Sequence, residues 1–211
     1  DPSFHTQINN IKYRGSTARI HFALRDIPKI EGINNDHINT VFSICPSMEY
    51  LERASDAVKY GFISKDPYLE FSIPSTLNPE FSPVGKHVLS VSVQYAPYQL
   101  RNRIWDTDSK EQLKQNTIQV LEKKIPDLTQ LIEAYLVYSP KDLEAEFGIK
   151  EGNLNHGEMT LDQLFFMRPT ASSSQYSTPF KNLYLCGSGT HPGGGLHGTN
   201  GYNAAKTVLK S

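Results

Sequence analysis

The chain is poor in cysteine, poor in tryptophan and almost without net charge, and each scarcity removes a class of protein. Two cysteines, Cys45 and Cys186, stand far apart among 211 residues. No second thiol or histidine accompanies either at metal or redox spacing, which excludes a disulfide-stapled scaffold and a zinc ribbon. They are expected to be buried thiols in a reducing, cytoplasmic setting, with no metal bound. Lys and Arg number 21 against 22 Asp and Glu, so the basic field that marks a nucleic-acid partner is missing. No run approaches the roughly 18 unbroken apolar residues of a membrane-spanning helix. There is no Asn-x-Ser/Thr sequon, internal repeat or heptad pattern. The opening Asp1-Pro2-Ser3-Phe4-His5 has neither the charged nor the apolar region of a signal peptide. It has no initiating Met either, which points to a chain processed or cut from a longer one.

What is present reads as mixed strands and helices. At roughly 150 residues per domain, the length suits one large or two small domains. Residues 16–24 alternate, with Ala18, Ile20, Phe22 and Leu24 on one face of a strand. A second strand is expected over 38–44, ended by Pro46, and Ser47 then caps a helix whose face carries Leu51, Ala54 and Val58 before a stop at Gly61. Residues 62–84, with four prolines, read as short strands joined by turns. His87 to Tyr95 has a clean period of two: Leu89, Val91, Val93 and Tyr95 against Ser90, Ser92 and Gln94, so one face of the sheet is polar or lines a cavity. Ser109 or Asp108 opens a helix over 110–124, with Leu113, Thr117, Val120, Leu121 and Lys124 at helical spacing. Leu131–Val137 reads as a strand. Ser139-Pro-Lys-Asp142 and Thr160-Leu-Asp-Gln163 read as capping boxes. Asn182–Cys186 is a short apolar strand and Tyr202–Leu209 a helix packing through Ala204, Ala205 and Val208. Without a steady βαβ rhythm, the fold class is α+β with a mixed, largely antiparallel sheet.

The glycines are unevenly placed. Seven of 14 lie within residues 187–201, against the about one that an even spread would leave. A strand, a loop with few side chains and a helix N-terminus form an arrangement in which backbone N–H groups can approach an anion. Named motifs fail: Gly187-x-Gly189-x-x is followed by Pro192, no Gly-Lys-Ser/Thr occurs, and Cys186 holds the glycine position of a nucleophile elbow around Ser188. The flanking elements argue against a plain flexible linker. His191 and His197 lack further metal ligands and read as loop histidines.

Asn182-Leu-Tyr-Leu-Cys-Gly-Ser-Gly-Thr-His-Pro-Gly-Gly-Gly-Leu-His-Gly-Thr-Asn-Gly-Tyr-Asn-Ala-Ala205, after Thr178-Pro179, resembles the C-terminal flavin-binding signature of phytoene-desaturase-related flavoproteins. Ile73-Pro-Ser75, Pro83-Val-Gly-Lys-His87, Trp105, Pro140–Glu144 with Phe147-Gly148, Gly152-Asn153, His156-Gly157 and Arg168-Pro169 extend the resemblance over nearly the whole chain. It implies an FAD-dependent oxidoreductase of the amine-oxidase/phytoene-desaturase class, in which hydride passes from a substrate C–H bond to flavin. Since no Gly-x-Gly-x-x-Gly occurs anywhere, the chain looks like the C-terminal portion: a substrate-domain region over residues 1–148 and the closing segment of the FAD domain over 149–211. The resemblance assigns Gly187, Ser188, Gly189, Pro192, Gly193, Gly194, Gly195, Gly198 and Gly201 to the flavin site. Arg168 is open between facing flavin or substrate and a surface or core-edge salt bridge. His191 and His197 are the only nearby titratable groups, and no catalytic residue is assigned. A lipophilic substrate is implied, held in an apolar tunnel that Leu89 and Val91 would line, for a protein that is cytoplasmic or peripheral to a membrane. The partner is then the N-terminal dinucleotide-binding domain. Alone, the chain would bind FAD weakly, be inactive and expose apolar surface that favours homodimers. Two other readings are a binding module with an unused flavin loop and a phosphate-binding protein.

Overall fold

The computed structural model describes residues 2–210. In chain order its main elements are α1 (Pro2–Asn9), β1 (Thr17–Leu24), β2 (Phe42–Ile44), α2 (Met48–Lys59), β3 (Tyr68–Ser72) and β4 (His87–Gln94). There follow α3 (Thr107–Leu121), α4 (Leu128–Leu131), β5 (Ile132–Tyr138), α5 (Pro140–Phe147) and α6 (Thr199–Val208), with short 3-10 turns between. The class is α+β. The chain divides into two compact units, one of residues 16–147 and one that joins residues 1–15 to 148–211. Residues 1–15, expected to belong with the first region, thus pack with the C-terminal segment.

The larger unit is a five-stranded sheet in the order β2-β3-β4-β1-β5, every pairing antiparallel. Alternation decides which side is buried. Ala18, Ile20, Phe22 and Leu24 of β1, Leu89, Val91 and Val93 of β4, and Leu69 and Phe71 of β3 all turn to one face and are buried. The same core takes in Leu113, Ile118, Val120 and Leu121 from α3, and Ile125 and Leu128 beyond it. Each large side chain so buried contributes roughly 1.5–3 kcal/mol. Leu89 and Val91 therefore belong to the core and line no tunnel; the period of two holds, but the apolar side is the one sealed by α3.

Local signals account for the starts of three helices. The Ser47 side chain accepts from the Tyr50 N–H at 3.1 Å to start α2. At α5, Asp142 accepts from both the N–H and hydroxyl of Ser139 (2.8 and 2.6 Å), the capping box expected there. α3 begins earlier than expected, because Asp106, not Ser109 or Asp108, accepts from the Ser109 N–H at 2.9 Å. Lys124 lies beyond its end. β2 is confined to Phe42–Ile44, where Phe42 stacks on Phe71 at 5.2 Å; before it, only Ile38 reaches the core.

In the smaller unit little is regular. The 161–163 segment is a single 3-10 turn without a side-chain cap, and 182–186 makes only an isolated bridge, Ser177 to Tyr184. A lone strand has too few partners to persist as a ladder. Cohesion comes instead from residues 12–15 laid along 150–163. The Lys12 N–H donates to Gln163 Oε1 at 2.7 Å, and Gln163 Nε2 returns a bond to Lys12 O at 2.9 Å. Glu158 N–H also donates to Lys12 O at 2.9 Å, Arg14 pairs with Glu158, and Lys12 Nζ meets Asp162 at 2.7 Å. The thiols are free, Cys45 half-buried and Cys186 exposed, so the expected burial of both does not hold. Among the described residues no helix is long and apolar enough to cross a membrane.

Two outcomes follow. Leu89→Ala should lower the urea unfolding free energy by about 2–5 kcal/mol, and Leu89→Asp should abolish the cooperative transition, since it buries a charge. The Lys12 hydrogen bond pulls the Asp162 carboxyl from 3.8 down to about 2. A depressed carboxyl stabilises the fold above its unfolded value, and that contribution is lost as pH falls from there through about 2. An NMR titration of Asp162 should find the low midpoint, and Lys12→Ala should return it toward 3.8.

Candidate functional site

The glycine-rich segment leaves the Ser177–Tyr184 bridge, runs irregularly over 187–197 and enters α6 at Gly198. Such a backbone cannot satisfy itself, and its carbonyls need donors from elsewhere. Two buried side chains supply them. Asn200, 6% exposed in the first turn of α6, directs Nδ2 at the carbonyls of Gly187 (3.1 Å), Thr190 (2.9 Å), His191 (3.3 Å) and Gly193 (3.3 Å). Arg168, only 2% exposed, donates to Ser188 O from Nη2 at 3.0 Å and to the carbonyls of Asn155, Gly157, Glu158 and Gln163. Burial lowers its pKa, with Tyr13 opposing. Arg168 thus neither faces an open cavity nor makes a salt bridge: its five donors are spent on backbone oxygens, and it clamps the loop to the 155–163 segment.

Smaller contacts complete the frame. Thr190 Oγ1 donates to Gly187 O at 2.8 Å. The Tyr176 hydroxyl donates to His191 O at 2.8 Å and accepts from Asn203 Nδ2 at 2.9 Å. His197 is exposed and its Nδ1 accepts from the Thr199 N–H at 3.1 Å, so it caps α6. The His191 ring lies 6.2 Å from that of Phe165, with a buried Nδ1 that finds no partner among the described residues. The two imidazoles therefore differ: one holds a helix end and the other sits against an aromatic ring.

The glycines sort into two kinds. Gly193, Gly195 and Gly198 lie at φ of 115°, 111° and 69°, where a side chain is strained. Gly194 is hemmed in, since an added Cβ would fall 2.1 Å from Asn155 Oδ1, and at Gly193 it would also strike Met159. The fold of the chain explains these four. Gly187 and Gly201 are different: neither has positive φ, and a Cβ at either would meet nothing within 4 Å. Gly201 even sits inside α6, where glycine costs about 1 kcal/mol relative to alanine. Gly189 is intermediate, with His156 O at 3.5 Å in ordinary contact. Ser188 contributes its carbonyl to Arg168, and Pro192 is half-buried within the loop. The sequence signature thus falls on the loop and the first turn of α6, with open space beside Gly187 and Gly201.

No protein-family model matches the chain. The chain is 34% identical over 217 residues, 99% of its length, to pyridine nucleotide-disulfide oxidoreductase domain-containing protein 2 of Rattus norvegicus, and similarly to that of Mus musculus. It is 26% identical over 92% of its length to the lycopene-forming phytoene desaturase of a Paracoccus species. The similarity thus runs to part of proteins named as oxidoreductases and as phytoene desaturases. The chain spans 37% of the length of the rodent relatives and 36% of the desaturase.

The residues that sequence reasoning missed are the ones that shape the loop. Asn200 lay within the quoted signature, and its place two residues after a capping glycine was the available signal. Tyr176 and Asn203 carried none, because the hydroxyl of Tyr176 joins His191 O and Asn203 Nδ2 from 15 and 27 residues away, whereas Thr190 bonds Gly187 O only three residues back. Arg168→Lys should not restore what Arg168→Ala removes, because a lysine cannot present the planar fork. Both should cost at least about 3 kcal/mol in urea unfolding, several buried carbonyls losing their donor at roughly 1–3 kcal/mol each. Hydrogen exchange should report the loss first in residues 187–193.

Proposed function

We propose that the chain is the C-terminal part of an FAD-dependent oxidoreductase, with residues 16–147 forming the substrate-binding region and the 148–211 segment closing over the cofactor. The observation that carries this reading is the pair Gly187 and Gly201, which are exposed, need no positive φ and have open space where a Cβ would stand, so that nothing within the chain requires glycine there. The kinship with oxidoreductases supports it. FAD, when bound, supplies the acceptor for a hydride taken from a C–H bond of a lipophilic substrate.

The work of this chain is positional. Asn200 and Arg168 fix the loop backbone so that its remaining polar groups are held before the cofactor arrives. Gly187 and Gly201 let the backbone come close to the pyrophosphate and ribityl region, and the positive end of α6 favours the diphosphate there. Neither histidine is assigned a proton-transfer role, since hydride removal requires no side-chain nucleophile. Leu196 and Tyr202 stand exposed on this loop and helix. They suit a docking partner, the N-terminal dinucleotide-binding domain, which would carry the missing Gly-x-Gly-x-x-Gly; without it the same surface would favour homodimers.

The test is made on the complete protein, with its upstream region, purified and examined for flavin absorbance. Gly187→Val and Gly201→Val should lower bound flavin at least tenfold while the thermal midpoint of the apoprotein stays within a few degrees. Residues 1–211 alone should retain no stoichiometric flavin. Flavin retained equally by both variants, or none in the complete wild-type protein, would falsify the reading.

A further inference from the structure

The second face of the five-stranded sheet carries residues that neither the core nor the loop employs. Register sets them in rows across the strands. One row runs Glu70, Ser92, Arg19, Tyr138, and the next Ser72, Ser90, His21, Leu136. Two residues further along β1 the row becomes Val88, Ala23, Ala134. The face therefore grades from charged to apolar over four residues of strand, about 13 Å. Ala23 and Ala134 are exposed, and so is half of Leu136.

Arg19 is the anomaly in this gradient. It lies in β1, with β4 on one side and β5 on the other, and it is half-buried. Burial pulls its pKa below the ordinary arginine value, and Glu70 only partly opposes this. Yet the guanidinium makes no ion pair or side-chain hydrogen bond among the described residues, whereas the buried Arg168 has its donors engaged. Glu70 stands two strands away, about 10 Å of backbone, and its carboxylate takes the Tyr68 hydroxyl at 2.7 Å. His21 is held toward its neutral form by burial and by Arg19, and its ring meets Tyr138 edge-on at 6.5 Å. The surroundings thus place the hydroxyls of half-buried Ser90 and Tyr138 and of buried Ser92 beside Arg19 but give it no anion of its own.

A planar fork of donors, partly desolvated and flanked by hydroxyls, is complementary to a pair of anionic oxygens on one carbon. The neighbouring Ala23, Ala134 and Leu136 suit a hydrocarbon chain leading away from it. We propose that this face binds a carboxylate-bearing amphiphile, with Arg19 taking the carboxylate in a bidentate pair and the apolar end of the face taking the chain. The step rests on the oxidoreductase reading only in calling that ligand the substrate: it narrows a lipophilic substrate to an acid, and Arg19 becomes the residue that selects it.

The binding is measured on the 211-residue chain without flavin, so its failure is separate from failure of the cofactor reading. Isothermal titration with sodium octanoate should show saturable binding, and 1-octanol should bind at least tenfold more weakly. Arg19→Gln should weaken octanoate by about tenfold to a hundredfold, the worth of a charged hydrogen-bonded contact, with the thermal midpoint unchanged. Arg19→Lys, which keeps the charge without the fork, should lie between. If Arg19→Gln fails to fold, the Lys variant and Ser90→Ala carry the comparison, each weakening octanoate severalfold. Absence of octanoate binding, equal binding of octanol, inorganic phosphate binding as tightly, or binding indifferent to Arg19 and Ser90 would each overturn the proposal.

Discussion

The smaller unit depends on the provision of donors to backbone oxygens in a segment that has no ladder or helix of its own. From Gly187 to Gly193 the carbonyls turn inward, and water is replaced by Asn200 on one side and Arg168 on the other. A buried arginine normally needs an anion. Here the partial charges of five peptide oxygens take that place, which is why the guanidinium is tolerated at near-complete burial. The arrangement fixes a loop shape before any ligand is present, while leaving open space beside Gly187 and Gly201.

The larger unit solves a different problem. Its sheet has one face sealed by α3 and the turns after it, and stability resides there. The opposite face is released from packing duty and can hold groups that a core would reject, Arg19 and Glu70 among them. Lys114 shows how the border is managed: its stem is buried beside the core, while the ammonium sits 3.8 Å over the Tyr135 ring and pairs with Glu111 at 2.7 Å.

Where a residue's role is set by its neighbours in the chain, the sequence was readable. The alternation in β1 and β4, the Ser47 cap and the Ser139–Asp142 box all depend on spacings of two to four residues. Legibility failed where the partner is remote. Lys12 binds Gln163 across 151 residues, Arg168 serves Ser188, and the 182–186 stretch has strand composition but too little to pair with. At the candidate site, the glycine cluster was visible at once, but its meaning was not uniform. Four glycines answer to the fold itself, and only the folded structure separates them from Gly187 and Gly201, whose reason lies outside it.

The division of the chain into units also orders its assembly. One unit is continuous, from residue 16 to residue 147, and its first and last strands are neighbours through the Arg19–Tyr138 pairing. A ribosome that has released β5 has released all five of these strands. The other unit is built from both ends of this sequence, so residues 12–15 must wait, unpaired, until 150–163 and then the loop have emerged. During synthesis the five strands can pair before the glycine loop finds its donors, since Asn200 is made after the carbonyls it serves.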